Sequence, residues 1–401
     1  MISYDEARKI IEDDFQKIKL DIEEIELGDA LNRTLAEDIF ADINLPPFNN
    51  SSVDGIAIRF DKSINEWKII GEISAGNFSK INLDENSAVM IMTGAKIPDF
   101  CNTVIPLEDY ELNNNNAVLK KNVSFKTGMN IRLKGSDVKE GELVLKNGTQ
   151  LSPGNIAAAA TCGKSKLKAF KKLKFAVLAT GDELISVEGK PIGDKIRVSN
   201  TFGICTAVNE IYQSAVNLGI VNDGRNIFKD KITAALNSGI DVLITTGGVS
   251  VGKYDFIKEV FEELGVKEKF HKVNIKPGKP IYFGDYKKDG KRVLVFGMPG
   301  NPVSSLVCFY IFIKPAVEKL YQQKSAGNVF AVLQDELKKE DSKRHFPRGI
   351  LFNEKGEWKV RTKFSQSSGN LVELSRANCL IVIREEKMNS VKGEAVECIP
   401  I

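Results

Sequence analysis

Apolar positions recur at helical spacing at the start of the chain. Ile10, Ile11, Phe15 and Ile18 stand among acids and lysines, which predicts an amphipathic helix over residues 1–28. Ser3, with Glu6 three residues on, supplies a capping-box start. The pattern changes over residues 43–60, where two prolines and Asn49-Asn50-Ser51-Ser52 lead into a short alternating run, a linker and loop entering a strand. From about residue 60 to 150, short apolar runs (WKIIGEIS, SAVMIMTGA, TVIPLEDYEL, AVLKKNVSF, GELVLKNGT) are separated by turn residues. This stretch reads as mainly β, with the asparagines 113–116 as a hairpin tip. Residues 151–170 return to a helical pattern, in which the alanine run 157–160 permits close packing.

At residue 173 the style changes again. LKFAVLAT, DVLITTGG and KRVLVFGMPG are continuous apolar runs that alternate with helices expected at about 201–218, 227–238, 255–264 and 302–320, with a further strand near 270–275. Strands apolar at every position belong to a parallel sheet covered on both faces. The tail from 325 reverts to short alternating strands (VFAVLQDEL, GILFNEKGEWKVRTKF, CLIVIREE, EAVECIPI), which predicts a small barrel or sandwich. The chain thus reads as a β-rich insert, an α/β core and a β tail. The helical stretches 1–28 and 151–170 flank the insert and can pair as a connecting segment built from both sides of it.

Composition narrows the chemistry. A length of 401 residues suits two to four domains. A net charge of +3, from 56 basic and 53 acidic residues, gives no pull toward nucleic acid or membrane. No window approaches ~18 uninterrupted apolar residues, and MISYDEARKIIEDDF carries acids where a secretory leader has a basic start, so a soluble, cytoplasmic protein is expected. The cysteines at 101, 162, 205, 308, 379 and 398 form no CxxC and read as buried, reduced thiols. With only His271 and His345 present, a mechanism built on several imidazoles is excluded. Carboxylates, lysines, hydroxyls and backbone amides must do the work.

In an open parallel sheet, ligands bind where strands end and helices begin. Three loops hold that position: Gly181-Asp182-Glu183-Leu184; Gly247-Gly248-Val249-Ser250-Val251-Gly252, closed by Lys253-Tyr254-Asp255; and Met298-Pro299-Gly300-Asn301-Pro302-Val303-Ser304-Ser305. Any one of them reads as a tight turn; together on one sheet edge they point to a phosphorylated or polyanionic ligand. Neither a P-loop nor a dinucleotide-binding glycine fingerprint is present. Lys276 and Lys279 flank the Pro-Gly turn of NIKPGKP and make an oxyanion clamp beside such an edge. Asp182, Glu183, Asp223 and Asp255 supply hard oxygens suited to Mg²⁺, although each taken singly also reads as a helix cap. Asp54 sits on an Asp-Gly turn, Thr93 ends a β run, and KRHFPR at 343–348 reads by default as a solvated charged face.

Taken in order, LPPFNNSSVDGIAI, MTGAKIP, NIRLKGSDVKEGELVL, LATGDEL, TTGGVSVGKYDF, NIKPGKP, GMPGNPVSS and SQSSGNLVELSRANCLIVI resemble the molybdopterin molybdenumtransferase (MoeA) family, which also forms the C-terminal region of gephyrin. The stretches run from about residue 45 to 383. Val53-Asp54-Gly55-Ile56-Ala57 departs from the family's Met-Asp-Gly-Tyr-Ala, and Gly369-Asn370-Leu371 from Gly-Met-Leu.

The resemblance implies a connecting domain of residues 1–45 and 140–170, a β-rich inserted domain at 46–139, an α/β molybdopterin-binding domain at 171–322 and a C-terminal β-barrel domain at 323–401. It implies a homodimer and a Mg²⁺-assisted insertion of molybdate into adenylylated molybdopterin, releasing AMP. A molybdopterin adenylyltransferase and apo-molybdoenzymes are the further partners. Asp182, Glu183, Asp255, Lys276 and Lys279 become the catalytic set, and Glu183, Asp223 and Asp255 the metal ligands. Substrate binding falls to Asp54, Thr93, Asp137, Gly247, Gly248, Ser250, Gly252, Pro299, Gly300, Asn301, Pro302 and Ser304, with Arg348 and Ser368 as molybdate ligands from the C-terminal domain. Two competing readings are the preceding adenylylation of molybdopterin, which the four-part chain disfavours, and a partner-binding scaffold, which retention of the charged motif residues disfavours.

Overall fold

The computed structural model describes residues 1–77, 81–248, 256–323 and 327–401. Its centre is a six-stranded sheet in the order Ser214–Val221, Lys174–Thr180, Val242–Thr246, Lys291–Met298, Tyr282–Lys288, Val266–His271. The first four strands run parallel, as their unbroken apolar runs predict. The fifth, Tyr282–Lys288, runs antiparallel to both of its neighbours, which departs from an all-parallel sheet. The cause is local. Asp289 and Gly290 both have positive φ and close a two-residue hairpin between Lys288 and Lys291. Asp-Gly between strand-like runs is a hairpin signal, so YFGDYKK is a strand that the sequence reading passed over.

Both faces of the sheet are covered. Helices Arg225–Asn237 and Phe256–Glu263 close one face around Phe228, Ile232, Ile257 and Phe261. The other face buries Ile204, Val208, Phe309 and Phe312, together with Ile11 and Phe15 of the first helix. That first helix, Tyr4–Phe15, is shorter than expected, and Ser3 Oγ caps it by accepting the Glu6 N–H at 3.2 Å. Residues Ile22–Glu26 are instead a strand, paired antiparallel with Lys166–Phe170. The expected helix over 151–170 likewise ends at Thr161, after a Ser152–Asn155 capping box. The helix expected at 201–218 ends at Glu210, and Tyr212, at φ 58°, turns the chain into the edge strand Ser214–Val221.

Packing places the first helix in the central layer rather than against the connecting strands. Arg292 fixes it there: its Nη2 meets Asp14 Oδ1 at 2.7 Å, its Nη1 donates to the Asp14 carbonyl at 2.6 Å, and its Nε donates to Asp285 Oδ1 at 2.8 Å. A second link uses a helix defect. The helical stretch from Pro302 to Leu320 widens to a π turn at Phe309–Ile313 just before Pro315. Proline has no N–H for the carbonyl four residues back. That carbonyl, of Ile311, accepts the Tyr4 hydroxyl at 3.4 Å.

The remaining modules follow the alternation of their sequences. The insert holds a six-stranded sheet in which Tyr110–Asn113 and Asn116–Leu119 form the expected asparagine-tipped hairpin. Ile39–Phe40 pairs with Leu143–Leu145, so both sides of the insert meet in a connecting segment. The C-terminal strands Val329–Leu333, Glu357–Arg361, Arg348–Glu354, Cys379–Val382 and Ala395–Pro400 close a barrel. All six cysteines are free, and only Cys205 is not buried. No helix among the described residues is long and apolar enough to cross a membrane.

Candidate functional site

Three parallel strands end side by side at Thr180, Thr246 and Met298, and the three glycine-bearing loops leave from those ends. Between them lies a cavity of about 670 Å³. Gly247 and Gly248 form part of its wall. Gly247 has φ +94° and donates its N–H to the Met298 carbonyl at 3.1 Å; a Cβ there would stand 2.3 Å from the Thr180 carbonyl oxygen. Gly248 has φ +65°, and a Cβ would stand 2.2 Å from Ile257 Cδ1. Only glycine fits either position, which keeps the loop backbone against the strand ends. Ser250, Gly252 and Asp255 lie outside the described residues.

Pro299, Gly300, Asn301 and Pro302 line the same cavity. Asn200 ties this loop down by donating to the Gly300 carbonyl at 2.7 Å, and the Ser305 hydroxyl bonds the Pro299 carbonyl. Ser304 is buried in the following helix, 4% exposed, and does not line the cavity, so the expected substrate contact is not made from there.

Glu183 and Asp223 both line the cavity. Asp182 does not; its carboxylate accepts the Asp223 N–H at 3.0 Å and so positions that residue. Burial, then the charges of Asp182 and Glu183, push the Asp223 carboxyl above the usual range, against the backbone hydrogen bond with Asp182. Among the described residues, no group of three or more His, Cys, Asp or Glu stands close enough to hold a metal ion unaided.

Lys276 and Lys279 are exposed, and neither makes an ion pair among the described residues. Their turn is seated by Gly278, whose φ is +100°, and where a Cβ would lie 2.5 Å from Cys308 Sγ. They do not line the cavity, but the adjoining Pro280 does. Strand Ile275–Lys276 pairs with Arg344–His345, which brings the basic 343–348 run alongside. Most of that run is already paired: Lys343 and His345 with Asp341, and Arg344 with Asp5 and Glu385.

Arg348 corrects an expectation. It is 1% exposed, and its guanidinium donates to the carbonyls of Ser365 at 2.7 Å, Asn370 at 3.0 Å and Ser367 at 3.1 Å. It shapes the 365–370 loop instead of facing an anion. The Ser368 carbonyl accepts the Val303 N–H at 3.3 Å, and the neighbouring Gly369 and Leu371 line the cavity. Asp54 and Thr93 are brought together in the insert, where Asp54 Oδ1 accepts the Thr93 N–H at 2.7 Å and its hydroxyl at 2.8 Å, which holds the Asp54 carboxyl below the usual range. Asp137 pairs with Arg132. All three are exposed and line no part of their own chain's cavity.

Sequence reasoning missed Arg197, Ser199, Asn200, Thr180 and Thr246, all of which line the cavity. Ser199-Asn200 ahead of a helical run is a legible start signal. Arg197 carried none.

The arrangement gathers carboxylates, open amides and a cation around one volume, which suits a phosphorylated substrate and a divalent cation. Comparison with known proteins gives the family. Residues 2–163 match the model of the MoeA N-terminal region (domains I and II), residues 176–319 a probable molybdopterin binding domain, and residues 331–401 the MoeA C-terminal region (domain IV). A molybdopterin molybdenumtransferase of Haemophilus influenzae is 36% identical over all of this chain and 98% of its own. Gephyrin of Dictyostelium discoideum is 32% identical over all of this chain, which spans 62% of it. The crystal structure of the molybdopterin biosynthesis MoeA protein from Pyrococcus horikoshii superposes with a TM-score of 0.83 at 30% identity, covering all of both chains. The chain belongs to the molybdopterin molybdenumtransferase family.

Proposed function

We propose that this chain inserts molybdate into adenylylated molybdopterin, releasing AMP, as a Mg²⁺-dependent step of molybdenum-cofactor biosynthesis in the cytoplasm. The observation that carries this reading is the cavity at the strand ends, where Glu183, Asp223 and the glycine loop face one volume in a chain alike over its whole length to a molybdopterin molybdenumtransferase. The Gly247–Gly248 turn and the Pro299–Pro302 loop hold the phosphorylated substrate. Lys276 and Lys279 hold molybdate beside Pro280, with Ser368 on the opposite loop. Asp182 keeps Asp223 in place. No covalent protein intermediate is needed, because bringing two anions together and offsetting their charge accounts for the acceleration.

Glu183 and Asp223 are the residues that would hold Mg²⁺. Two carboxylates lining one cavity and repelling one another form a donor set that a hard divalent cation relieves, with substrate phosphate oxygens completing its shell. Bound there, the ion would offset phosphate charge. Asp223 must be ionised for this. Its raised pKa predicts that Mg²⁺ affinity, followed by calorimetry, starts to fall on acidification above the ordinary aspartate value of ~3.9. Affinity unchanged down to pH 4 would remove Asp223 from the ligand set.

The decisive assay is molybdate-dependent AMP release from adenylylated molybdopterin. Lys276→Ala and Lys279→Ala are expected to slow it by about 100-fold each, the scale of losing one charge-stabilising donor. Full turnover in both variants rejects the clamp. The exposed Asp54, Thr93 and Asp137, which line no part of their own chain's cavity, support a homodimer in which they would face the cavity of a second copy. Mixing Asp54→Ala with the slowed Lys279→Ala is then expected to raise activity above that of either variant alone; no recovery places both residues in one chain's site. A molybdopterin adenylyltransferase upstream and apo-molybdoenzymes downstream complete the proposed partners.

A further inference from the structure

A second cavity opens on the C-terminal barrel. It encloses about 310 Å³ and is lined by Ile350, Arg361, Lys363, Phe364, Glu373 and Arg376, none of which lines the cavity at the strand ends. The end of strand Glu357–Arg361 places it. Val360 and Thr362 are buried, and the Thr362 N–H donates to Asp335 at 2.6 Å, so alternation turns Arg361 and Lys363 to the outside of the barrel. Ile350 is the cross-strand partner of Arg361 and shares that face.

The charges around this pocket do not balance. Neither Arg361 nor Lys363 makes an ion pair among the described residues. The Arg361 guanidinium stands over the Phe352 ring, 5.7 Å from its centre, a contact that orients the group without using its N–H donors. Arg376 pairs with Glu373 Oε1 at 3.1 Å, so three cations share a single carboxylate. Ile350 and Phe364 add an apolar side. An apolar lining with a few convergent polar groups, at this volume, is the make-up of a small-ligand site.

One segment of chain borders both cavities. Phe364 lines the barrel pocket, Gly369 and Leu371 line the cavity at the strand ends, and Glu373 and Arg376 line the pocket again. Arg348 fixes the middle of the segment through three carbonyls.

We infer that the barrel pocket is an effector site for a small organic anion, a phosphate monoester or carboxylate with an apolar body, and that its occupancy tightens substrate binding in the neighbouring cavity. The anionic group meets Arg361 and Lys363, while the apolar body lies on Ile350 and Phe364. A ligand so placed touches both ends of the 364–376 segment. It orders beforehand the wall that carries Gly369 and Leu371, so the substrate has less ordering left to do. The coupling rests on the transferase reading above; binding in the pocket does not.

Phenyl phosphate is the probe, titrated calorimetrically into the full chain, with benzoate and inorganic phosphate in parallel. The tighter of the two aromatic ligands identifies the anionic group, and it is expected to bind more tightly than inorganic phosphate. Arg361→Gln and Lys363→Gln should each weaken it by about fivefold or more. At saturating probe, the AMP dissociation constant of the wild-type chain is expected to fall by about fivefold or more, and to stay put in the double variant. Wild-type probe affinity in both single variants overturns the site. So does inorganic phosphate binding as tightly as the aromatic ligands, since that marks bare charge. An AMP affinity unchanged by the probe overturns the effector role, and a weakened one shows the probe competing inside the substrate cavity and overturns it equally. If the wild-type chain binds no AMP at all, the transferase reading fails and the coupling with it, whereas probe binding lost in Arg361→Gln still establishes the pocket.

Discussion

Gly247→Ala is expected to lower molybdate-dependent AMP release by about 100-fold or more, the penalty attached to displacing reacting groups by about 1 Å. The methyl group would approach the Thr180 carbonyl oxygen to 2.3 Å, and a backbone atom in a central strand cannot swing aside. The φ of +94° adds strain of its own, about 1–3 kcal/mol. The loop must therefore lift off the strand ends, and the cavity wall moves with it. Gly300→Ala is the matched comparison: its Cβ would meet nothing nearer than 3.5 Å, and its φ is not in the left-handed region. A Gly247→Ala enzyme with wild-type turnover would mean that the substrate does not rest on this wall.

Arg292→Ala is expected to cost about 1–3 kcal/mol, because it takes the guanidinium from two buried carboxylates, Asp14 and Asp285, at 2% and 5% exposure, and leaves them only lysine partners. Urea unfolding followed by near-ultraviolet signals of the central aromatic residues measures it. The effect depends on pH. Burial raises the Asp14 carboxyl, but hydrogen bonds from Lys17 and Arg292, with Lys269 nearby, outweigh burial and hold it below the usual range. The network thus stabilises in full above the unfolded value of ~3.9 and is lost as pH falls through the lower folded value. Wild type and variant should converge in acid; a gap that stays constant to pH 2 would show that the charge on Asp14 is immaterial.

Much of this architecture was legible because period and composition agreed. Unbroken runs such as DVLITT marked central strands, and the glycine loops at their ends marked the cavity. What escaped depended on partners distant in the chain. Ile22–Glu26 reads Ile-Glu-Glu-Ile-Glu, with its isoleucines three apart, and continues a helical pattern on paper, yet it needs Lys166–Phe170 to become a strand. Arg348 sits in a basic run that suggests an anion ligand, and only the folded 365–370 loop shows three carbonyls consuming its donors. Arg197 lacked any motif, because a single arginine acquires meaning from the cavity that it borders.

The bond from Tyr4 to the carbonyl left open ahead of Pro315 joins residues 307 positions apart. At ~5–20 residues per second of synthesis, the first helix would wait roughly 15–60 s on the ribosome before its binding groove is made. Through that interval Ile11 and Phe15 have nowhere to go, and a chaperone that recognises short amphipathic segments has its natural opportunity there. A synonymous slowing of translation between the two ends should lengthen that exposure and raise the share of nascent chain captured.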